Sequence, residues 1–160
     1  MTVLRHLLSV LLLPFTVTVL VPAWLLTSFE GGASTSGLRF AGGVAFVAGF
    51  ALFAWCVSLF ARVGEGTLAP WDPTQKLVAA GPYRHVRNPM ITGVAAMLLG
   101  EALYFGSPAI GMWLLVFATI NHTYFMLSEE PGLERRFGES YRIYKANVPR
   151  WLPCFRPWTG

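Results

Sequence analysis

The stretch GPYRHVRNPM, residues 81–90, gathers Arg84, His85, Arg87 and Asn88 immediately before a long apolar run. Cationic and amide side chains in that position bind anions. Asn is favoured at the N-cap of a helix and Pro at its first position, so Asn88-Pro89 predicts a helix start. The free N–H groups of Met90 and Ile91 then point back toward the preceding loop. Together with Arg84 and Arg87 they make a site for a carboxylate or a phosphate. An ordinary cap beside basic residues that anchor a membrane helix is the plainer reading of the same stretch.

A second polar group is Glu129-Glu130, before Pro131. Two acids at a helix C-terminus oppose the helix dipole; if Pro131 opens a new helix, they sit favourably at its start. Adjacent helical residues point about 100° apart, so one of the two faces a given ligand. His122 lies seven residues before Glu129, on the same face of a regular helix. An ionisable residue within a membrane helix is a functional candidate, and a hydrogen bond to a neighbouring helix is the alternative. Gly93, Ala96 and Gly100 form a stripe of small residues, suited to close helix packing or to the accommodation of a flat ligand. Cations at one helix end and acids at another, on one side of a membrane, suit a zwitterionic ligand. S-adenosylmethionine is such a ligand, with a carboxylate, an ammonium, a sulfonium and ribose hydroxyls. No GxGxxG follows a strand pattern, so a soluble dinucleotide-type site is not indicated. The three histidines and two cysteines show no metal-site spacing.

The elements that must position these groups are read from the apolar blocks. Of the 160 residues, 54% are hydrophobic and 12% charged, about half the charge of a soluble domain. Four blocks approach the ~20 residues that cross a bilayer. They predict helices over about 7–29, 40–61, 89–105 and 107–128, in one membrane domain covering the whole chain. Pro14 and Pro22 fall inside the first; membrane helices tolerate proline where a neighbour satisfies the freed carbonyls. A short turn around Gly106–Pro108 makes the third and fourth helices a hairpin. Leu133, Phe137, Tyr141, Tyr144 and Val148 recur every three or four residues, which predicts a C-terminal amphipathic helix at the cytoplasmic membrane surface. Trp151 and Trp158 suit the headgroup level. With both termini inside, eleven of the twelve Lys and Arg residues are cytoplasmic and only Arg39 is outside. The net charge of +4 then needs no nucleic acid to explain it.

GPYRHVRNPMITG followed by EEPGLERRFGESYRIYKANVPRWLP resembles the isoprenylcysteine carboxyl methyltransferase and phospholipid methyltransferase family. The resemblance runs from about Gly64 to Pro153. It implies a bundle of transmembrane helices with a cytoplasmic pocket for S-adenosylmethionine, closed by the C-terminal segment. The cofactor-site segments are then about 64–93 and 122–153. The site residues it implies are Gly81, Pro82, Tyr83, Arg87, Asn88, Pro89 and Gly93, with Glu129 and Glu130, and Arg87 lies near the reacting centre. Asn88 stands where the family often has His, and Ile91 where it often has Tyr. No basic residue occupies Thr123–Ser128, where the carboxyl-methylating branch has an arginine. That ranks a prenylcysteine carboxylate below other lipid-like acceptors.

The expected protein is therefore an all-α integral membrane methyltransferase with four transmembrane helices, in a bacterial plasma membrane. Arg87 and Glu130 are the candidate catalytic residues. Gly81, Pro82, Tyr83, Arg87, Asn88, Met90, Gly93, His122, Glu129 and Glu130 are the candidate cofactor-binding residues. The expected partner is a membrane lipid or other amphiphile, and neither a metal nor a nucleic acid is expected. An NADPH-dependent reductase of the sterol reductase type and a non-enzymatic membrane scaffold are the alternatives. The topology predicts that, in a Cys56→Ala variant, Cys154 is shielded from a membrane-impermeant thiol reagent in intact cells and labelled only after lysis; labelling before lysis overturns it.

Overall fold

The computed structural model describes residues 13–29, 31–63 and 77–160. The expected beginning of the first helix, 7–12, and the inner-loop residues 64–76 lie outside the described residues. Everything regular among the described residues is helical. The helices are α1 (Leu13–Ser28), α2 (Ser36–Val63), α3 (Pro89–Phe105), α4 (Pro108–Tyr124), α5 (Glu130–Phe137) and α6 (Glu139–Asn147). A π turn, Phe125–Glu129, joins α4 to α5 in one continuous run, Pro108–Phe137. Two segments are long and apolar enough to cross a membrane, Ser36–Leu59 and Pro108–Phe137. Leu13–Ser28 and Pro89–Phe105 are apolar but shorter. The 17 residues of α3 rise about 26 Å, against a hydrocarbon core of ~30 Å. Phe40, Val47, Phe50 and Trp55 of α2 and Met112, Leu115 and Ile120 of α4 are exposed. Contiguous apolar surface of that kind marks contact with lipid or with a partner.

Two pairs of glycines fix the centre. A Cβ at Gly49 would lie 2.5 Å from the Gly93 carbonyl oxygen, and one at Gly42 would lie 2.6 Å from that of Gly100. The pairing of 42 with 100 and of 49 with 93 makes α2 and α3 antiparallel. Where lipid surrounds the helices, small residues let two backbones approach and gain dispersion contacts that larger side chains would block. The stripe expected from Gly93, Ala96 and Gly100 is thus a helix contact. The space a flat ligand would need is filled by α2.

The hairpin of α3 and α4 turns through Gly106, with φ 61°, and Ser107, which caps α4 by accepting from the Ile110 N–H. Residues of the loop before α2 pack on this turn: the Gly32 N–H donates to the Gly106 carbonyl and Ser34 Oγ to the Leu103 carbonyl. The π turn Thr16–Leu20 precedes Pro22, and the Val21 N–H donates to the Thr16 carbonyl. Val17 would then need an N–H from residue 22, which proline lacks. Trp113 Nε1 of α4 donates to the Val17 carbonyl instead, at 3.0 Å. A neighbouring helix thus satisfies the freed group.

Beyond the membrane-length helices the chain departs from two expectations. The helix does not stop at residue 128. The second π turn lets the backbone pass through Glu129, Glu130 and Pro131 without ending: the Glu130 N–H donates to the Phe125 carbonyl, five residues back. The amphipathic stripe is present but is carried by two helices. Gly138, with φ 55° and ψ −128°, breaks α5 from α6, and Tyr141, Tyr144 and Val148 are buried against Leu77, Ala79, Leu133, Phe137 and Trp158.

Gly49→Ala is expected to destabilise the bundle by about 1–3 kcal/mol through overpacking against Gly93. Gly43→Ala, where an added Cβ meets nothing within 4 Å, is expected to be neutral or slightly stabilising. Unfolding in mixed micelles followed by tryptophan fluorescence distinguishes the two.

Candidate functional site

The loop before α3 approaches α2 through Gly81, whose φ of +54° is a left-handed conformation that glycine adopts without strain. An added Cβ there would also meet Leu59 at 2.9 Å. The tight turn Gly81–Arg84 buries Pro82 and Tyr83. Tyr83 and Val78 pack with Cys56, and Leu52, Leu59 and Met90 surround them. The Pro89 ring disfavours helical backbone at residue 88, and Asn88 adopts φ −121° and ψ 53°. Its carbonyl accepts from the Thr92 N–H and from Thr92 Oγ1. The side chain makes no cap hydrogen bond, contrary to the usual N-cap role expected from the sequence. Asn88 is 8% exposed, and its Nδ2 has no partner. An amide that neither caps nor reaches water carries a desolvation cost unless a ligand completes it.

Asn88 lines a cavity of about 90 Å³ together with Tyr83, Arg87, Phe125, Glu129 and Tyr141. One wall is a stripe at spacing four along the continuous helical run: Phe125, Glu129, Leu133 and Phe137. Arg87 Nε is also buried and unpartnered. No ion pair joins Glu129 to a cation among the described residues. Burial pushes the Tyr83 phenol well above its ordinary value, and burial raises those of Tyr141 and Tyr144 as well. All three stay protonated at neutral pH and can donate. A larger open hollow of about 460 Å³ lies across the same stretch, lined by Leu52, Trp55, Gly81, Pro82, Arg84, His85 and Pro157. Among the described residues it gathers no acid beside its cations. The smaller cavity joins a cation, an unpaired amide and a carboxylate, and it is the candidate site on chemical grounds.

Glu130, beside Glu129 in sequence, is committed elsewhere. It is 4% exposed. Its Oε1 accepts from Arg87 Nη1 at 2.8 Å and from Arg150 Nε at 2.7 Å. Its Oε2 accepts from Arg150 Nη2 at 2.9 Å and lies 3.4 Å from Lys145 Nζ. The hydrogen bonds to Glu130 hold the Arg150 guanidinium above its ordinary pKa. The chain after α6 is bound back over the loop. The Arg87 N–H donates to the Pro149 carbonyl, the Cys154 N–H to that of His85, and the Trp158 N–H to that of Arg84. Tyr144 Oη donates to the Tyr83 carbonyl at 2.7 Å.

Tyr83, Arg87, Asn88 and Glu129 therefore meet at one cavity, with Glu130 behind Arg87. Gly81 and Pro82 face the open hollow, and Met90 packs behind Tyr83. Gly93 is against Gly49 of α2. His122 does not line the cavity: its Nδ1 accepts from Trp151 Nε1 at 3.0 Å at an exposed position. The reason is the π turn between His122 and Glu129. One inserted residue rotates the helix by about 100°, so a spacing of seven no longer shares a face. Sequence reasoning missed Arg150, Lys145 and the aromatic wall of Phe125. Tyr141 and Tyr144 were legible only as members of an apolar stripe.

Among known proteins, the family model described as phospholipid methyltransferase matches residues 38–140. An uncharacterised protein of Haemophilus influenzae is 32% identical over 63 residues, which are 39% of this chain and the whole of that protein. No solved structure matches.

The buried ion cluster makes a stability prediction. Glu130→Gln leaves the Arg87 and Arg150 guanidinium groups without their counter-charge, and a loss of about 3 kcal/mol or more is expected. Glu134→Gln removes a carboxylate whose ion-pair partner Arg142 has a side chain 62% exposed, and little or no loss is expected. Denaturation of both variants in mixed micelles checks the contrast.

Proposed function

The chain belongs to the phospholipid methyltransferase family, and on that footing we propose that it spans the membrane with four helices and moves a methyl group from S-adenosylmethionine to a lipid-like or other amphiphilic acceptor at the cytoplasmic leaflet. The observation that carries the reading is the meeting of Arg87, Asn88 and Glu129 in the lining of one aromatic-walled cavity, with Arg87 Nε and Asn88 Nδ2 buried and unpartnered. Two donors without a partner and an acid that pairs with no cation among the described residues are what a zwitterion would complete.

When bound, S-adenosylmethionine supplies an activated methyl group on a sulfonium. The chain's own part is binding and orientation, because direct displacement needs alignment and a fixed electrostatic environment more than a strong base. Arg87 and Asn88 would hold a carboxylate. Glu129 would hold an ammonium or ribose hydroxyls. Tyr83, Phe125 and Tyr141 would exclude water around them. Glu130 acts behind this shell, and its three cations leave it little capacity for a ligand. Among the residues expected from the sequence, Gly93 and His122 take no part in this proposal.

Small-molecule sites occupy roughly 300–1,000 Å³, several times the volume of this cavity. Entry therefore requires the wall of Leu133, Phe137 and Tyr141 to move. Gly138 between α5 and α6 provides the backbone freedom for it. An amphiphile arriving beside the bundle would reach the same end of α3 without leaving the bilayer. A cytoplasmic location of both termini, in a bacterial plasma membrane, accompanies this proposal.

Isothermal calorimetry with S-adenosylmethionine and its demethylated product tests the reading. Glu129→Gln and Asn88→Ala are each expected to weaken binding by about 1–3 kcal/mol. Thr27→Ala, an exposed position on α1 whose hydroxyl donates to the Trp24 carbonyl of its own helix, is expected to leave it unchanged. Binding of NADPH in place of S-adenosylmethionine, or equal affinity in both cavity variants, overturns it.

A further inference from the structure

We infer that Arg150 is a positioning residue, which fixes the direction of the Arg87 guanidinium toward the cavity by locking the Glu130 carboxylate between them. The inference rests on the reading above that Arg87 holds a ligand carboxylate. Arg150 lies beyond the residues that match the family model, 38–140.

Neutralisation does not explain Arg150. One cation, Arg87, already pairs with Glu130 at 2.8 Å. Arg150 and Lys145 bring two more charges to the same acid. What Arg150 adds is geometry. It engages both oxygens of Glu130, through Nε at 2.7 Å and Nη2 at 2.9 Å. A two-point contact of a planar fork fixes the plane of a carboxylate, which the single ammonium of Lys145 at 3.4 Å does not. Arg87 meets that plane through Nη1 alone. Its Nε, buried and unpartnered, lies with the side chain at the cavity wall. Where Glu130 points therefore constrains where Arg87 Nε points, alongside the side-chain hydrogen bond between Arg87 and Tyr141. The adjacent residue completes the grip, because the Pro149 carbonyl accepts from the Arg87 N–H at 2.9 Å. Two consecutive residues of the C-terminal segment thus hold both the backbone and, through Glu130, the head group of Arg87.

The test uses the full chain in micelles, with Arg150→Lys and Arg150→Ala. The first keeps the charge and loses the fork. In ¹⁵N-arginine-labelled protein, the Nε–Hε resonance of Arg87, assigned with an Arg87→Lys variant, is expected to exchange slowly in the parent protein. It should shift and exchange faster in both Arg150 variants. Calorimetry with S-adenosylhomocysteine is expected to show about tenfold weaker binding in both, at unchanged stoichiometry. A merely destabilised protein would instead lose stoichiometry and keep its affinity. If Arg150→Ala does not fold, Arg150→Lys gives the same readouts. An Arg87 resonance unmoved in the folded variants, or an Arg150→Lys protein matching the parent, overturns the inference. If the parent binds no S-adenosylhomocysteine, the functional reading fails and the Arg87 resonance still decides the role of Arg150.

Discussion

Glu130 ties together parts of the chain that are far apart in sequence. Arg87 comes from the loop before α3, Lys145 from α6 and Arg150 from the segment after it, and all three converge on this carboxylate at 4% exposure. A buried acid without partners would be strongly unfavourable, and so would two guanidinium groups without an acid. Each group is thus held in place by the others. The consequence reaches the cavity. With Glu130 saturated by cations, Glu129 is the acid left to face the space beside Tyr83, Arg87 and Asn88.

Proline shapes the helices in the same way twice. Pro22 and Pro131 each follow a π turn, Thr16–Leu20 and Phe125–Glu129. Proline cannot donate an N–H and crowds the preceding turn, so a locally wider turn relieves it without ending the helix. Near the N-terminus the carbonyl left over, that of Val17, takes a hydrogen bond from Trp113, which ties α1 to α4. Near the cavity the wider turn redirects the side chains that follow. It separates the face of His122 from the face of Glu129 and aligns Phe125, Glu129, Leu133 and Phe137 along the cavity. A local backbone irregularity therefore sets which acid is available.

The close crossing of α2 and α3 supplies the rigid support beneath this region. Gly42, Gly49, Gly93 and Gly100 let the backbones touch, so the start of α3, with Asn88 and Pro89, is held against a helix long enough to cross a membrane. The crossing and the π turn together hold Asn88 and Glu129 beside one cavity.

The sequence alone was enough to establish the apolar helices, the start of α3 at Pro89, the hairpin at Gly106 and the stripe from Leu133 to Val148. These follow from composition, from period and from the fixed φ of proline, all of which act within a few residues. Tertiary structure decided the rest. It turned Asn88 from an expected cap into an unpaired donor, placed Gly93 against α2, sent His122 to Trp151 and gave Glu130 to Arg150 and Lys145. Each of these depends on a partner 15 or more residues away, on a change of helical register at a π turn, or on the geometry of a neighbouring backbone. Local periodicity carries no information about such contacts, because their free energy exists only once the distant groups have been brought together and dried.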